Sequence, residues 1–422
     1  MLKDELYQLA LQTLLNLSAD EGIHASGKDE VFDCLFGRDS AITILKILRA
    51  HKRHPLSELL PSCRQTLLTL VSLQGKTFNI ENGEQPGKFI HEYRPSNYEH
   101  LLHGSSPWFV GPDKILRNYD SIDATPLTLI ALYKYWQTTQ DSEFLITVLP
   151  AVEAGLTWII SFGDLDEDFL LEYDFPPTRQ FGGLVVQSWT DSHQSLTDQN
   201  GQMPKYPIAP IEVQAFAWLA LKLWSNFYHD SSYEFSQKLS SYADMMKKSF
   251  NKKFILQDNG LHFGAQALDG NKNQIKTITA NPLLCLWASY HENGTTHSIL
   301  DDNLTLDFVS RAFLPDLFVE DAGIRTMSSN SPTFNPNQDC YHNGSFWPIL
   351  NGLVVEGLEN FGFTTQADRL KRASLLPLIH FNCPIELYVK KGDAYLEYCS
   401  SCGQLSCHEQ AWSAAALLDM AA

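Results

Sequence analysis

The stretch PIEVQAFAWLALKLWSNFYHDSSYEFSQKLSSYADMMKKSFN, residues 210–251, carries the pattern that decides the fold. Its apolar spacing predicts one helix over about 210–227 and a second over about 232–251. The link between them, 228–232, is short, so the two helices are expected to pack antiparallel as a helical hairpin.

The same apolar spacing extends outward from this hairpin in both directions. No run of alternating apolar and polar residues predicts a sheet, so the fold class expected is all-α. The sequence predicts about twelve helical segments, including the two described above. The other ten are 2–17, 40–53, 57–74, a helix starting near Ala124, 142–162, 281–291, 301–313, 346–360, 366–380 and 408–420.

The lengths of the links alternate strictly along the chain. Short links follow the even-numbered helices, at 51–55, 138–141, 228–232, 292–297 and 361–365. Long links rich in Gly, Pro and aromatic residues precede them, at 18–39, 75–123, 162–209, 253–280, 314–345 and 381–407. Because successive helices reverse direction, all six long links should emerge at one end. We therefore predict a single domain, residues 1–422, built as six hairpins in an (α/α)6 toroid whose largest pocket lies at that end.

Composition limits the partners of the protein. The formal net charge is −18, a field that repels nucleic acid and anionic membranes but not neutral substrates. No signal peptide and no apolar run long enough to span a membrane is evident. The eight cysteines are expected to be reduced thiols, which predicts a cytoplasmic protein. The oligomeric state stays open.

The first long link ends in Phe-Gly-Arg-Asp-Ser, residues 36–40. Arg38 offers a fixed fork of donors and Asp39 accepts hydroxyl protons, so together they can bind adjacent sugar hydroxyls. The alternative is a helix N-cap with a neighbouring ion pair.

The third long link holds Trp189 and Asp191 and leads into Glu212. An indole can stack on a pyranose ring, and partial desolvation raises a carboxyl pKa so that the group can donate a proton. The alternatives are a half-buried Trp beside a turn-forming Asp, and a structural Glu212 at a helix start.

The fifth and sixth long links hold further polar and aromatic groups. His342 and Trp347 could contact a substrate, although a single His is more often structural. Glu386 opens the sixth link and would face Asp191 across a ring of helices. The cluster Cys399, Cys402 and Cys407 lacks the spacing of a closed zinc site, so we expect no metal and no cofactor.

Taken together, these strings resemble the amylo-α-1,6-glucosidase (glycogen-debranching) family and its glucoamylase-like relatives. The matching stretches occur in family order, at 36–40, 119–126, 189–192, 212–214, 341–348 and 410–413. The resemblance implies an (α/α)6 toroid that hydrolyses an α-glucosidic linkage with inversion of the anomeric configuration.

The resemblance also implies roles for individual residues. Asp191 corresponds to the general acid and Glu386 to the general base. Arg38 and Asp39 correspond to the clamp on the terminal glucose. Supporting contacts with the substrate are implied for Asp123, Glu212 and His342.

The chain departs from the family pattern in ways that leave alternatives open. We expect no transferase domain, hence no 4-α-glucanotransferase activity, and no β-domain ahead of the first helix. Ile385 precedes Glu386 where the family usually has Pro. Glu397 and Glu409 are therefore rival candidates for the base. Two further hypotheses stay open. The protein is another six-hairpin sugar enzyme, such as a trehalase-like or other disaccharide hydrolase or a phosphorylase, or it is a non-catalytic carbohydrate-binding protein.

Overall fold

The computed structural model describes residues 3–103, 106–198 and 200–422 and forms α-helix at or near each of the twelve predicted positions. The predicted start of the first helix, residue 2, lies outside the described residues. The helices are α1 (Lys3–Asn16), α2 (Gly37–His51), α3 (Leu60–Ser72), α4 (Ala124–Thr139), α5 (Ser142–Ser161), α6 (Ile211–Tyr228), α7 (Tyr233–Lys253), α8 (Leu284–Trp287), α9 (Thr305–Ala312), α10 (Pro348–Asn360), α11 (Thr364–Phe381) and α12 (Ala411–Ala421).

The even-numbered helices pack against one another in a closed cycle. α2 contacts α4, α4 contacts α6, α6 contacts α8, α8 contacts α10 and α10 contacts α12. α12 then contacts α2, which completes the ring. A single hydrophobic cluster runs through the packed helices from Leu6 in α1 to Ala421 in α12.

The odd-numbered helices lie outside this ring. α1 packs on α12, α5 on α4, α7 on α6 and α11 on α10. The inner and outer helices differ in burial. In the inner helix α6, 15 of the 18 residues are buried, whereas in the outer helix α7 only 5 of the 21 residues are buried. A helix covered on all sides needs apolar residues around its circumference, whereas an outer helix needs only one apolar stripe.

The all-α expectation is wrong in one respect, because the long links contain short strands. Sixteen strands of two to four residues form seven small sheets among the described residues. Two of the hairpins turn at Asn259-Gly260 and Asn293-Gly294, where all four residues have positive φ. Asn-Gly is the preferred pair for a two-residue hairpin turn, because both positions require the left-handed region.

The second of these hairpins also shortens a predicted helix. Helix was expected over 281–291, but α8 is one turn long and is preceded by a 3-10 turn at Asn281–Leu283. Residues Ser289–Glu292 instead pair with Thr295–Ser298. The turn at Asn293-Gly294 holds these residues extended, so they cannot continue the helix.

One helix departs from the expectation that no segment could span a membrane. α5 is the only helix in the described ranges that is long and apolar enough by composition. It contacts α3, α4 and α6 through buried residues such as Phe144, Val148 and Leu156. A core helix passes the same test of length and composition, so the absence of a membrane stays a prediction.

Candidate functional site

Three carboxylates stand at the N-terminal ends of neighbouring inner helices. Asp39 lies in the first turn of α2, Asp123 precedes α4 as its N-cap residue, and Glu212 lies in the first turn of α6. The unpaired amides at a helix N-terminus carry a partial positive charge that favours a nearby anion. The long links thus bring acidic side chains to one end of the ring.

A narrow pocket of about 50 Å³ opens at this end of the ring. Four of the six long links, together with the helix starts that follow them, contribute to its wall. The lining residues are Phe32, Phe36, Arg38, Asp39, Trp189, Asp191, Tyr341, His342, Trp347, Glu386, Gln410 and Trp412.

The expectation that this would be the largest pocket is wrong. A hollow of about 430 Å³ lies among residues towards the C-terminal ends of α2, α4 and α10. The pocket at the carboxylate end is smaller because its aromatic rings pack on one another. Trp347 makes edge-to-face contacts with Trp189 at 5.9 Å and with Trp412 at 5.8 Å between ring centroids.

Arg38 connects the carboxylates of this pocket. Its guanidinium donates a 2.9 Å hydrogen bond to Asp123 and a 2.6 Å bond to Asp191. The residue is 2% exposed and lies in the first turn of α2. Arg38 was expected at the end of the first long link, but α2 begins at Gly37 and carries Arg38 into the buried layer, where it still lines the pocket.

Three carboxyl groups that line the pocket have raised pKa values. Burial raises the pKa of Asp191 to about 6 against the opposing effect of Arg38. Burial likewise raises the pKa of Asp39 to about 7, again opposed by Arg38. The pKa of Glu386 rises to about 7 through burial. Groups that titrate near neutrality can exchange protons with a substrate at physiological pH.

Glu386 is held by donors on both of its oxygens. The hydroxyl of Tyr341 donates to Oε1 at 2.8 Å, and the amide of Cys407 donates to Oε2 at 3.1 Å. Both bonds favour the ionised carboxylate and lower its pKa, against the larger effect of burial. The backbone of the Glu386 loop is tied to the preceding link by two hydrogen bonds between Phe346 and Tyr388.

The two rival glutamates lie outside the pocket. A carboxylate oxygen of Glu397 lies 2.6 Å from a ring nitrogen of His408, and Glu409 is exposed. Neither glutamate belongs to the pocket wall, so Glu386 is the one of the three that shares the pocket with Asp191.

Asp123 and Glu212, for which contacts with the substrate were expected, do not line the pocket. Both side chains are fully buried beneath the pocket and form no part of its wall. The reason is their position at the helix starts, one layer deeper than the links. Asp123 binds Arg38, and Glu212 accepts a 3.2 Å hydrogen bond from Asn281.

Glu212 has the environment of a neutral carboxylic acid. Burial raises its pKa to about 7. Its second oxygen and the side-chain oxygen of Asn281 both lack a partner within the described ranges. The hydrogen bonds from Asn281 and Ser188 lower the pKa of Glu212, but burial has the larger effect and favours the protonated acid.

His342 packs as a neutral ring within the pocket wall. It stacks on Trp347 with 4.8 Å between ring centroids and an interplanar angle of 14°. Burial, with Arg38 nearby, keeps its pKa well below the usual value. One ring nitrogen contacts the Ser192 hydroxyl at 2.9 Å, while the other has no protein partner in the described part of the chain.

Five residues of the pocket wall were not predicted from the sequence as site residues: Phe32, Phe36, Tyr341, Gln410 and Trp412. All but Phe32 lie within stretches that match the family. The indole nitrogens of Trp189 and Trp412 and the Gln410 side-chain oxygen are buried and have no partner among described residues. Such groups cost free energy unless a ligand binds them, so the pocket is lined by hydrogen-bonding groups suited to a polar ligand.

The residues with metal-ligand geometry lie elsewhere. Asp164, Asp166 and Glu172 have oxygens within 4.8 Å of one another. The ammonium of Lys272 contacts both Asp166 and Glu172, so a cation of the protein already neutralises them. Of the cysteine cluster, Cys402 is exposed and Cys407 is buried, and all eight cysteines are free thiols.

Comparison with known proteins identifies the family. The family model described as amylo-alpha-1,6-glucosidase matches residues 68–419. The chain belongs to the amylo-α-1,6-glucosidase family. The resemblance seen in the sequence is thereby confirmed, and the protein is a glycoside hydrolase by family. No relative is found among curated proteins.

Several solved structures similar to this member of the amylo-α-1,6-glucosidase family are of glycosidases. The GH63 mannosylglycerate hydrolase from Thermus thermophilus in complex with glucose is 14% identical, with a TM-score of 0.65 over 98% of this chain and 99% of the other. The same enzyme with Tris and D-glycerate is 15% identical, with a TM-score of 0.61 over 98% and 99% of the chains. A glycosidase variant is 13% identical, with a TM-score of 0.61 over 99% and 96%. At these identities the likeness concerns the fold alone.

Proposed function

We propose that this protein hydrolyses an α-glucosidic bond with inversion, at an α-1,6 branch stub or at the end of an α-gluco-oligosaccharide. Asp191 protonates the leaving oxygen, and Glu386 activates the water that attacks the opposite face of the sugar. The observation that carries the proposal is that two carboxyl groups, with pKa values raised to about 6 and about 7, share one narrow pocket.

The surroundings of the two carboxyls suit different roles. Glu386 is 2% exposed and fixed by Tyr341 and Cys407, which both donate to it and favour the anion that a base requires. The side chain of Asp191 is 24% exposed and contacts Arg38. It is therefore the carboxyl that an incoming glycosidic oxygen can reach from the mouth of the pocket.

The pKa values in the free site, about 6 for Asp191 and about 7 for Glu386, do not separate the two roles. The general acid must hold its proton at a pH where the base has lost its own. Two effects of a bound sugar favour this assignment. The sugar covers the exposed part of Asp191, and its hydroxyls compete for the guanidinium of Arg38. Both effects raise the pKa of Asp191.

The pocket wall favours a neutral sugar. Arg38 is its only Lys or Arg in the described ranges, and Asp123 and Asp191 already bind that guanidinium. Asp39 offers acceptors for sugar hydroxyls, while Trp189 and Trp412 offer indole donors and aromatic faces. This combination of stacking surfaces and hydrogen-bonding groups is typical of a sugar site, and the pocket of about 50 Å³ must widen to admit the terminal glucose of the substrate.

The same charge argument weighs against two other reactions. Phosphorolysis needs a free cation for phosphate, and a glycerate leaving group needs one for its carboxylate. A trehalase-like or other disaccharide hydrolase remains compatible with a neutral, narrow pocket. A purely carbohydrate-binding protein would not require a second carboxylate in the same pocket as Asp191.

We further propose that the ring of paired helices is an (α/α)6 toroid. Its support is the closed cycle of contacts among the even-numbered helices. The eight free thiols fit the proposed cytoplasmic location, because thiols persist in a reducing compartment.

The test is a screen of purified protein against α-1,6, α-1,4 and α,α-1,1 glucosides, with mannosylglycerate and inorganic phosphate as further arms. We expect glucose from an α-linked glucoside without added phosphate. Proton NMR of the first-formed sugar should show the β-anomer. The α-anomer appearing first would mean retention and would make Glu386 a nucleophile, and no release from any glucoside would refute the proposed function.

A further inference from the structure

A second cavity lies beside the candidate active site, between the long links 75–123 and 162–209. We call it the side pocket. It has a volume of about 310 Å³, within the range of small-molecule sites. It shares no lining residue with the active-site pocket, and its wall includes Phe78, Lys88, Trp158, Phe162, Tyr173 and Gln187.

Two buried polar groups in the wall of the side pocket are poorly satisfied. Lys88 is 6% exposed, and its ammonium makes one long hydrogen bond of 3.4 Å, to the Gly83 carbonyl. Tyr173 is 3% exposed; the Gln187 backbone amide approaches its hydroxyl oxygen, but the hydroxyl proton has no acceptor in the part of the chain that the structure describes. The Lys88 ammonium also lies 5.8 Å from the centroid of the Trp158 ring. Buried polar groups with unused hydrogen-bonding capacity are costly, and both of these groups line an open cavity from which a ligand can reach them.

Apolar side chains surround the mouth of the side pocket. Phe78 is 66% exposed, Ile80 44% and Leu165 45%. The ring of Phe78 is supported by an edge-to-face contact with Phe162, 5.3 Å between centroids. An exposed aromatic ring held in this way offers a flat face for stacking.

The charges of the side pocket exclude a simple anion site. The four carboxylates of its wall, Glu84, Asp120, Glu172 and Asp174, outnumber its two cations, Lys88 and Arg179. Arg179 is engaged in a two-point contact with Asp120. Burial lowers the pKa of Lys88 to about 8, so its ammonium stays mostly charged at neutral pH. An anion would meet net repulsion, whereas hydroxyl groups can both donate to the carboxylates and accept from Lys88 and Tyr173.

We propose that the side pocket binds carbohydrate, as an accessory site for a second part of the same α-glucan that enters the active site. Phe78 stacks on a pyranose face at the mouth, and Lys88 and Tyr173 bind hydroxyls at the floor. The identity of the sugar rests on the proposed function, while the existence of the site rests on the cavity.

The two pockets are separated by a thin wall of backbone. Ile122 lines the side pocket, and the next residue, Asp123, binds Arg38 in the active site. Gln187 lines the side pocket, and Trp189 lines the active site. The Ile122 amide donates to the Gln187 carbonyl at 2.8 Å, joining the two segments. One arm of a branched glucan can thus occupy the side pocket while another enters the active site.

The experiment measures maltoheptaose binding by calorimetry to the full chain carrying Asp191→Asn, which should retain the glucan without cleaving it. Phe78→Ala and Tyr173→Phe are added separately to this background. Tyr233→Ala is the matched control, because Tyr233 is an exposed aromatic residue on α7 with 63% exposure. We expect two binding events in the parent, one of which weakens about tenfold in each side-pocket variant and is unchanged in the control.

A single binding event that neither side-pocket variant alters would overturn the accessory site. Equal weakening by Tyr233→Ala would overturn it as well, since the effect would then be general. The glucoside screen on wild-type protein judges the proposed function separately. If the wild-type protein cleaves no glucoside but Phe78→Ala removes one maltoheptaose-binding event, the side pocket is supported and the proposed hydrolysis is refuted.

Discussion

Arg38 donates a 2.6 Å hydrogen bond from its guanidinium to the carboxylate of Asp191. The same guanidinium binds Asp123, which is fully buried. The cation therefore serves both the packing beneath the pocket and the proposed acid within it. Binding and stability should be linked at this residue.

Arg38→Ala should lower stability and activity together. Removing the cation leaves Asp123 buried without its charged partner, a change that costs about 3–5 kcal/mol of the free energy of unfolding. Urea unfolding and kcat/KM measure the two effects. Arg117→Ala is the control, because Arg117 forms an exposed pair with Asp113 and should cost at most about 1 kcal/mol. Lost activity with unchanged stability would show that Asp123 does not depend on Arg38.

Asp191→Asn and Glu386→Gln should each lower turnover by about 10²–10⁴-fold while the substrate still binds. The amides keep the shape of the side chains but cannot exchange the proton. The two variants should differ with glucosyl fluoride, whose leaving group needs little protonation. Asp191→Asn should recover rate on this substrate and Glu386→Gln should not. Recovery by Glu386→Gln alone would exchange the two roles.

Tyr341→Phe should shift the acidic limb of the pH–rate profile. The Tyr341 hydroxyl favours ionised Glu386, so its loss raises the pKa of Glu386 above its present value of about 7. A base must be ionised, and the limb therefore moves to higher pH in kcat/KM. Tyr398→Phe is the control. The Tyr398 ring packs on the Tyr341 ring with 5.0 Å between centroids, but the hydroxyl that donates to Glu386 is that of Tyr341. Removing the Tyr398 hydroxyl should therefore leave the limb where it is. A uniform loss of rate with an unmoved limb would assign Tyr341 a packing role only.

Glu212→Gln should make the protein more stable at pH 8 than the wild type. Burial raises the pKa of Glu212 in the folded protein to about 7, above its value in the unfolded chain. The protonated side chain therefore contributes its full share to the free energy of unfolding at low pH. That share is lost as the pH rises through 7. A glutamine does not ionise, which removes a cost on the order of 3 kcal/mol at pH 8. Urea unfolding at pH 5 and pH 8 measures the difference. Glu234→Gln, in the first turn of the exposed helix α7, should change neither value. Equal pH dependence in Glu212→Gln and wild type would contradict the buried, protonated acid.

Much of the helical framework could be predicted because its signal is local. Apolar spacing located α6 and α7, and link lengths indicated which helices pair. The hairpins were missed although Asn259-Gly260 and Asn293-Gly294 are turn signals, since the flanking residues do not alternate cleanly. The all-α interpretation failed at those short, local turns.

The residues of the candidate site could be predicted only where their position in a long link was enough to bring them to the pocket. Asp191 and Glu386 lie in long links, and the structure brings both into one pocket. Depth within the ring could not be predicted, because it depends on how neighbouring helices pack. This is why Asp123 and Glu212 lie beneath the pocket, and why the bond from Tyr341 to Glu386 was not foreseen.

The contact of α12 with α2 has a consequence for how the chain folds. These helices are separated by most of the sequence, so the ring closes through one of the longest-range contacts that the chain can make. Loop-closure entropy makes such contacts late and slow to form. During synthesis α2 emerges early and must wait for α12 with part of its apolar face exposed. Nascent and truncated chains should therefore be the forms most prone to aggregate, and chaperones should matter most before the last helix is made.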